Sequence, residues 1–169
     1  IKGPDNEWQR KSLPGPPGIE QWTKSFKVLR SSLLLLEEVP PEHLDQYQDH
    51  ITKLANDYGP DVWFIIYQAD QRMRSEHFAT LLRHTLDAHD ATNTAGGTST
   101  FDTAHPWRTI WGLAVKDRDY WQDEVHRNIT DYRTQAKSAA QILDDGTIHP
   151  HLDLRSRSPR NRRGHQNPR

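Results

Sequence analysis

Six arginines, Arg155, Arg157, Arg160, Arg162, Arg163 and Arg169, fall within the last sixteen residues, and no acid stands among them. The chemistry such a run offers is polyanion binding. Each guanidinium presents a planar fork of donors to phosphate oxygens, stacks on bases and releases condensed counterions as it binds. Six such contacts with single-stranded nucleic acid would give a salt slope of about −4, from roughly 0.7 per neutralised phosphate. RNA or another single-stranded nucleic acid is the partner this run predicts. Ser156 and Ser158, the second followed by Pro159, are candidate phosphorylation sites. Two phosphates there would add about −3 to −4 and largely cancel the arm. The same run would also serve as a nuclear import signal, which charge alone does not distinguish.

The remaining chemistry-bearing residues lead to blander readings. Ten histidines invite a search for metal ligands. His77 and His84 are seven residues apart, roughly 10 Å along a helix, whereas paired zinc ligands on one helix come at spacings of three to five. His149-Pro-His151 is a local pair with no third ligand in the pattern. No metal and no cofactor is expected. Glu37-Glu38, Asp117/Asp119 and Asp123-Glu124 could supply acid and base groups, but no nucleophile or phosphate loop accompanies them. No catalytic residue and no small-molecule substrate is assigned. Asp70, Arg72, Arg74 and Glu76 alternate in charge and read as a solvated helix face with an Asp70–Arg74 pair at i,i+4. Trp107, Trp111 and Trp121 could form a base-stacking platform; at helical spacing they read as core. Asn128-Ile-Thr130 spells a glycosylation sequon, taken as coincidence in a chain with no cysteine and no signal peptide pattern.

The elements that must carry these residues follow from periodicity. Residues 1–18 hold four prolines and three glycines and read as an extended, poorly ordered leader, with Trp8 the one residue able to dock. Trp22, Phe26, Leu29, Leu33 and Leu36 then form one apolar stripe of a helix. Pro40-Pro41 stops it and opens a second, carrying Leu44, Tyr47, Ile51 and Leu54 and capped by Gly59. A third begins at Pro60-Asp61 and runs through Trp63, Ile66, Met73, Phe78, Leu81, Leu82 and Leu86. Residues 90–105, around Gly96-Gly97, read as a flexible loop. From Pro106 a long pattern passes through Trp107, Trp111, Ala114, Trp121, Val125, Ile129, Tyr132, Ala136, Ala139 and Leu143. One helix of that length would be unusual in a globular domain, so a break is expected near 128–130. The expected fold is all-α, a four- to five-helix bundle over residues 19–146, with a disordered basic Arg/Ser tail at 147–169.

Charge divides along the same line. The chain holds 22 basic and 23 acidic side chains; without the six tail arginines the rest carries 16 against 23, a net of −7. The longest apolar run, Val62 to Tyr67, is six residues, far short of the roughly 20 needed to span a bilayer, so no membrane partner is expected. Residue 1 is Ile rather than Met, and the chain reads as a piece of something longer.

With these residues assembled, the chain resembles the Gag-like, capsid-type N-terminal region of protist retrotransposon polyproteins. The resemblance runs from Gly15-Pro-Pro-Gly18 to about Val125. It rests on Trp22-x3-Phe26-x-Val28-x-Arg30, on Leu44-x2-Tyr47-x3-Ile51-x2-Leu54, and on Trp63 with Gln68-Ala69-Asp70. Arg74-x-Glu76-x-Phe78, Pro106-Trp107 and Asp119-Tyr120-Trp121 complete it. In such polyproteins a basic Arg/Ser stretch often follows the helical part, as it does here, and a Cys/His knuckle often lies beyond; this chain has no cysteine. The resemblance implies a non-enzymatic protein that self-associates and binds RNA, in the cytoplasm or the nucleus. Two other readings stay open: a host nuclear RNA-processing adaptor with an Arg/Ser tail, and a small helical enzyme, which would need a deep polar pocket.

Overall fold

The computed structural model of the chain describes residues 15–144, with side chains to residue 141. Every regular element among them is helical, and no strand occurs. The leader with Trp8, the pair His149/His151 and the arginine tail lie outside the described residues. The chain divides after Tyr132 into two units.

In the first unit, α1 (Ile19–Leu35) starts beyond Gly18, with Glu20 in its first turn where the helix dipole favours an acid. Trp22 and Phe26 are buried, and Leu29 and Leu33 pack against the core. Leu36, expected on the same stripe, is instead 67% exposed. The cause is a Schellman ending: Glu37 N–H donates to Leu34 O (3.1 Å), and Glu38 N–H donates to Leu33 O (3.3 Å). Glu37 has φ +56°, so a non-glycine residue holds the left-handed position and the chain turns before Leu36 can reach inward.

Helix α2 (Pro41–Tyr58) opens on Pro41, whose fixed φ suits a first turn, and Leu44, Tyr47, Ile51 and Leu54 are all buried. Gly59 caps it at φ +87°, donating its N–H to Ala55 O. A single 3-10 turn (Pro60–Val62) leads into α3 (Trp63–Arg72), which continues through a π-turn (Met73–His77) into α4 (Phe78–Thr94). The π-turn accounts for the five-residue step from Met73 to Phe78. In a regular helix that step would point Phe78 about 140° away, and the wider turn returns it to the core, where both side chains are buried. The expected loop at 90–105 begins later, because α4 runs to Thr94. There Gly96 N–H bonds Asn93 O and Gly97 N–H bonds Thr92 O, the same Schellman ending with Gly96 at φ +77°.

Helix α5 (Trp107–Lys116) crosses to α6 (Arg118–Trp121), which passes through a second π-turn (Gln122–Arg127) into α7 (Asn128–Asp144). The expected break at 128–130 is absent, and the chain bends eleven residues before that stretch, at Asp117. Its backbone leaves the helical region (ψ 81°), and its carboxylate accepts the Tyr120 N–H as an N-cap. The indole N–H of Trp121 donates across this corner to Ala114 O (2.8 Å).

The core is aromatic. Tyr47 is fully buried at its centre, stacked on Phe26 (5.8 Å) and edge-on to Trp111 (5.0 Å), while Phe26 stacks on Trp22 (5.1 Å). Trp111 and Trp121 are buried, as the core reading of that row expects, and Trp107, partly buried, packs on the core beside Phe78. In the second unit, the helical residues from Arg133 to Gln141 are exposed, Ala136 and Ala139 included. Their place on the expected stripe therefore does not carry into burial.

Candidate functional site

Arg155, Arg157, Arg160, Arg162, Arg163 and Arg169, with Ser156 and Ser158, lie beyond Asp144 and outside the described residues. What the structure places are the charged constellations of the helical body.

Of the alternating charges expected on a solvated face, Arg72 and Glu76 are exposed and Arg74 is half-buried, but Asp70 departs from that expectation. Asp70 is fully buried. Its carboxylate accepts the Trp22 indole N–H at 2.8 Å from α1, the Tyr47 hydroxyl at 2.9 Å from α2, and a two-pronged fork from Arg74 one turn on (Nε at 3.0 Å). The Asp70–Arg74 pair is thus present, with the carboxylate inside the protein and the Arg74 side chain 24% exposed. Burial works against the Arg74 charge, yet the hydrogen bond and charge of Asp70 outweigh it and raise the pKa of the guanidinium. Burial first, and the Asp70 charge second, hold the Tyr47 phenol well above its ordinary range. The signal for this burial was in the sequence. Asp70 lies four residues after Ile66 and three before Met73, on the apolar stripe of its own helix. The Trp22 indole and the Tyr47 phenol needed an acceptor if they were to be buried.

A second cluster lies at the two π-turns. His77 Nε2 bonds Asp117 Oδ2 at 2.7 Å, and the imidazole stacks on the Tyr120 ring at 4.5 Å. Arg72 pairs with Glu124 at 2.6 Å. Arg72, His77, Tyr120 and Glu124, together with Glu76 and Thr80, line an open cleft of about 270 Å³. The Tyr120 hydroxyl donates to Ala69 O at 2.8 Å, and burial, followed by the Glu124 charge, raises its pKa. Asp117 serves at once as helix cap and histidine tether. Chemically the arrangement fastens α5–α6 to the α3–α4 rod. Of the acid pairs singled out in the sequence, Asp117 and Glu124 are engaged here, and Asp123 pairs with Arg127 at 3.2 Å.

The histidines are dispersed. His84 is exposed, and His89 meets Asn93 at 2.9 Å. Among the described residues no group of three or more His, Cys, Asp or Glu is placed to hold a metal ion, and no helix is long and apolar enough to cross a membrane. His50 packs its ring on Trp121 (4.6 Å), with Nε2 buried and without a hydrogen-bond partner. Burial, then the neighbouring His126 and Lys53, push its pKa down to about 4. His126 itself contacts the Tyr58 hydroxyl through Nδ1. Compared with known proteins, the chain matches no family model, no curated protein and no solved structure.

Proposed function

We propose that this chain is a non-enzymatic, Gag-like, capsid-type protein of a retroelement. Its helical bundle self-associates, and its arginine run holds RNA or other single-stranded nucleic acid without sequence preference. The observation that carries the reading is the partition of charge: a body of net −7 joined to six arginines unopposed by any acid within their segment. The disposition of the aromatics supports the same division. Trp22, Trp63, Trp111 and Trp121 are buried, and the indole N–H groups of Trp22, Trp63 and Trp121 are bonded to Asp70, Pro17 O and Ala114 O. Base stacking by those rings would require unpacking the core, so phosphate attraction by the arginines is the better-supported grip. Phosphorylation at Ser156 and Ser158 would release it. The protein would act in the cytoplasm, or in the nucleus if the arginine run is also an import signal.

Removing residues 154–169 is expected to abolish most affinity for a single-stranded RNA while leaving helix content nearly unchanged. The intact chain should show a log–log salt slope of about −4. Equal RNA affinity of the truncated and whole chains would refute the assignment. The adaptor reading draws on Arg155-Ser-Arg-Ser-Pro159, an Arg/Ser run of the kind that joins RNA-processing complexes. Sedimentation separates the two, since RNA-promoted oligomers support the Gag-like reading and a strict monomer with RNA bound supports the adaptor.

A further inference from the structure

A pocket of about 150 Å³ lies between α1 and the α3–α4 rod. Its walls are apolar and largely aromatic: Trp22, Phe26 and Leu29 along one side of α1, and Tyr67 from α3. All four belong to the core or pack on it, so the pocket is a gap at the rim of the core. Its lip is polar. Ser25 and Gln71 are exposed, and Arg74 lines it with Nε and Nη2 bonded to Asp70 and Nη1 outside that fork. A space of this size takes one ring, as an apolar cavity of about 150 Å³ takes benzene. It is small for a free ligand, whose sites run from roughly 300 Å³ upward. The fitting occupant is a single aromatic side chain with a polar edge and an acid beside it. The walls take the ring, Ser25 or Gln71 the donor, and Arg74 the carboxylate.

Where the chain enters the body selects that side chain. Pro17 lines the pocket, and its carbonyl accepts the indole N–H of Trp63 at 2.6 Å, so the leader meets the bundle at this pocket and is pinned there. Fourteen residues precede the described part; Trp8 is their one aromatic, and Glu7 stands beside it. We propose that Trp8 of the chain's own leader inserts into this pocket, its ring among Trp22, Phe26 and Tyr67, with Glu7 paired to Arg74. Nine residues separate Trp8 from Pro17, a reach of about 28 Å at roughly 3.1 Å per extended residue. The pocket runs only from Trp22 to Leu29 along α1, about 10 Å. The leader therefore has length to spare for reversing direction, and Pro14-Gly15 is a turn-forming pair next to Pro17. Leu13, four residues from Pro17, has no ring, no donor and little chain for the return. The leader of a second copy would meet the same walls without a tether. The attached one has an effective concentration on the order of millimolar and prevails. Docking covers the part of Arg74 that water still reaches and joins leader, α1 and α3 through one ring.

The test uses the whole chain labelled with 5-fluorotryptophan and read by fluorine NMR. Six signals are expected, one per tryptophan, and Trp8→Phe identifies the Trp8 signal by its loss. That signal should lie away from the free-indole position and move to it in Ser25→Phe, which fills the mouth of the pocket from α1. Because the chain has no cysteine, Glu7→Cys with Gln71→Cys reports the contact independently. On mild oxidation this pair should close an internal disulfide faster than Glu7→Cys with Asp49→Cys, an exposed control on α2. The expected ratio is about tenfold or more, which one buried ring supports. Adding Trp8→Ala to the Gln71 pair should remove the advantage. The substituted positions of the body are exposed, so circular dichroism should match that of the wild type. A Trp8 signal at the free-indole position, or equal rates for the two cysteine pairs, would overturn the docking. A Gln71 pair that links two chains in place of closing within one would overturn it too, and assign the pocket to the leader of a second copy.

Discussion

This protein holds two arginine–aspartate forks of nearly the same geometry, one between helices and one within a helical segment, and they differ most in their access to water. Arg30 of α1 reaches Asp45 of α2 with Nε at 2.7 Å and Nη2 at 3.1 Å. Arg74 reaches Asp70 with the same two nitrogens. The Asp45 side chain is 54% exposed, and that of Asp70 is not exposed at all. At the surface the hydrogen bond from Arg30 lowers the Asp45 pKa and raises that of the guanidinium. Water and salt compete for both groups, so the shift does not become stability. In the interior the same fork is joined by an indole and a phenol that have no other acceptor. Removing the carboxylate there strands the indole, the phenol and the guanidinium together. Depth decides what a contact is worth.

The sharpest way to break the comparison is Asp70→Ala. It is expected to cost about 3–5 kcal/mol, the range for leaving a buried charge unpartnered. Urea unfolding should show the midpoint falling sharply with the slope m unchanged. A loss below about 1 kcal/mol would place Asp70 outside the core. Next comes His50, which tests burial without any pairing. Its folded pKa of about 4 lies below the ordinary 6.5, so between these values the unfolded chain binds more protons. Stability is therefore full above pH 6.5 and is lost as pH falls toward 4. With the partial exposure of the ring discounted, the loss is about 2 kcal/mol. His50→Gln should flatten the pH profile in that window, and parallel profiles for variant and wild type would remove His50 as the cause. The smallest effect belongs to Asp45→Ala, whose unfolding midpoint should be indistinguishable from wild type at 0.15 M salt. A clear loss there would mean that the exposed fork does structural service after all.

Most of the helical pattern was legible because side-chain spacing reports directly on which face is buried. Leu44, Tyr47, Ile51 and Leu54, predicted as one stripe, are all inside, and Gly59 ends their helix as expected. Features set by local backbone chemistry escaped that signal. Leu36 fits the spacing, but a left-handed Glu37 turns the chain first. The corner at Asp117 depends on a capping carboxylate within Lys116-Asp-Arg-Asp119, which apolar counting passes over. Asp70 was misread because a charge in an alternating run suggests solvent, although its position between Ile66 and Met73 says otherwise. The arginine run, by contrast, needed no fold to be seen, since its signal is charge density alone. The two sides of α1 were also separable by spacing: Val28 and Leu35 are as apolar as Leu29 and Leu33 but fall off the stripe that starts at Trp22 and Phe26, and they are exposed.

The π-turn at Met73–His77 holds one residue more than an ordinary helix needs between Met73 and Phe78. Loss of one position within it, even the exposed Ser75, would shorten that step to four residues, which a regular helix brings back to within about 40° of the same face. Phe78, Leu81 and Leu82 would then still meet the aromatic centre. Gain of one position would instead rotate everything downstream by about 100° and carry them off it. Related chains that conserve this fold should therefore shorten this turn far more readily than they lengthen it.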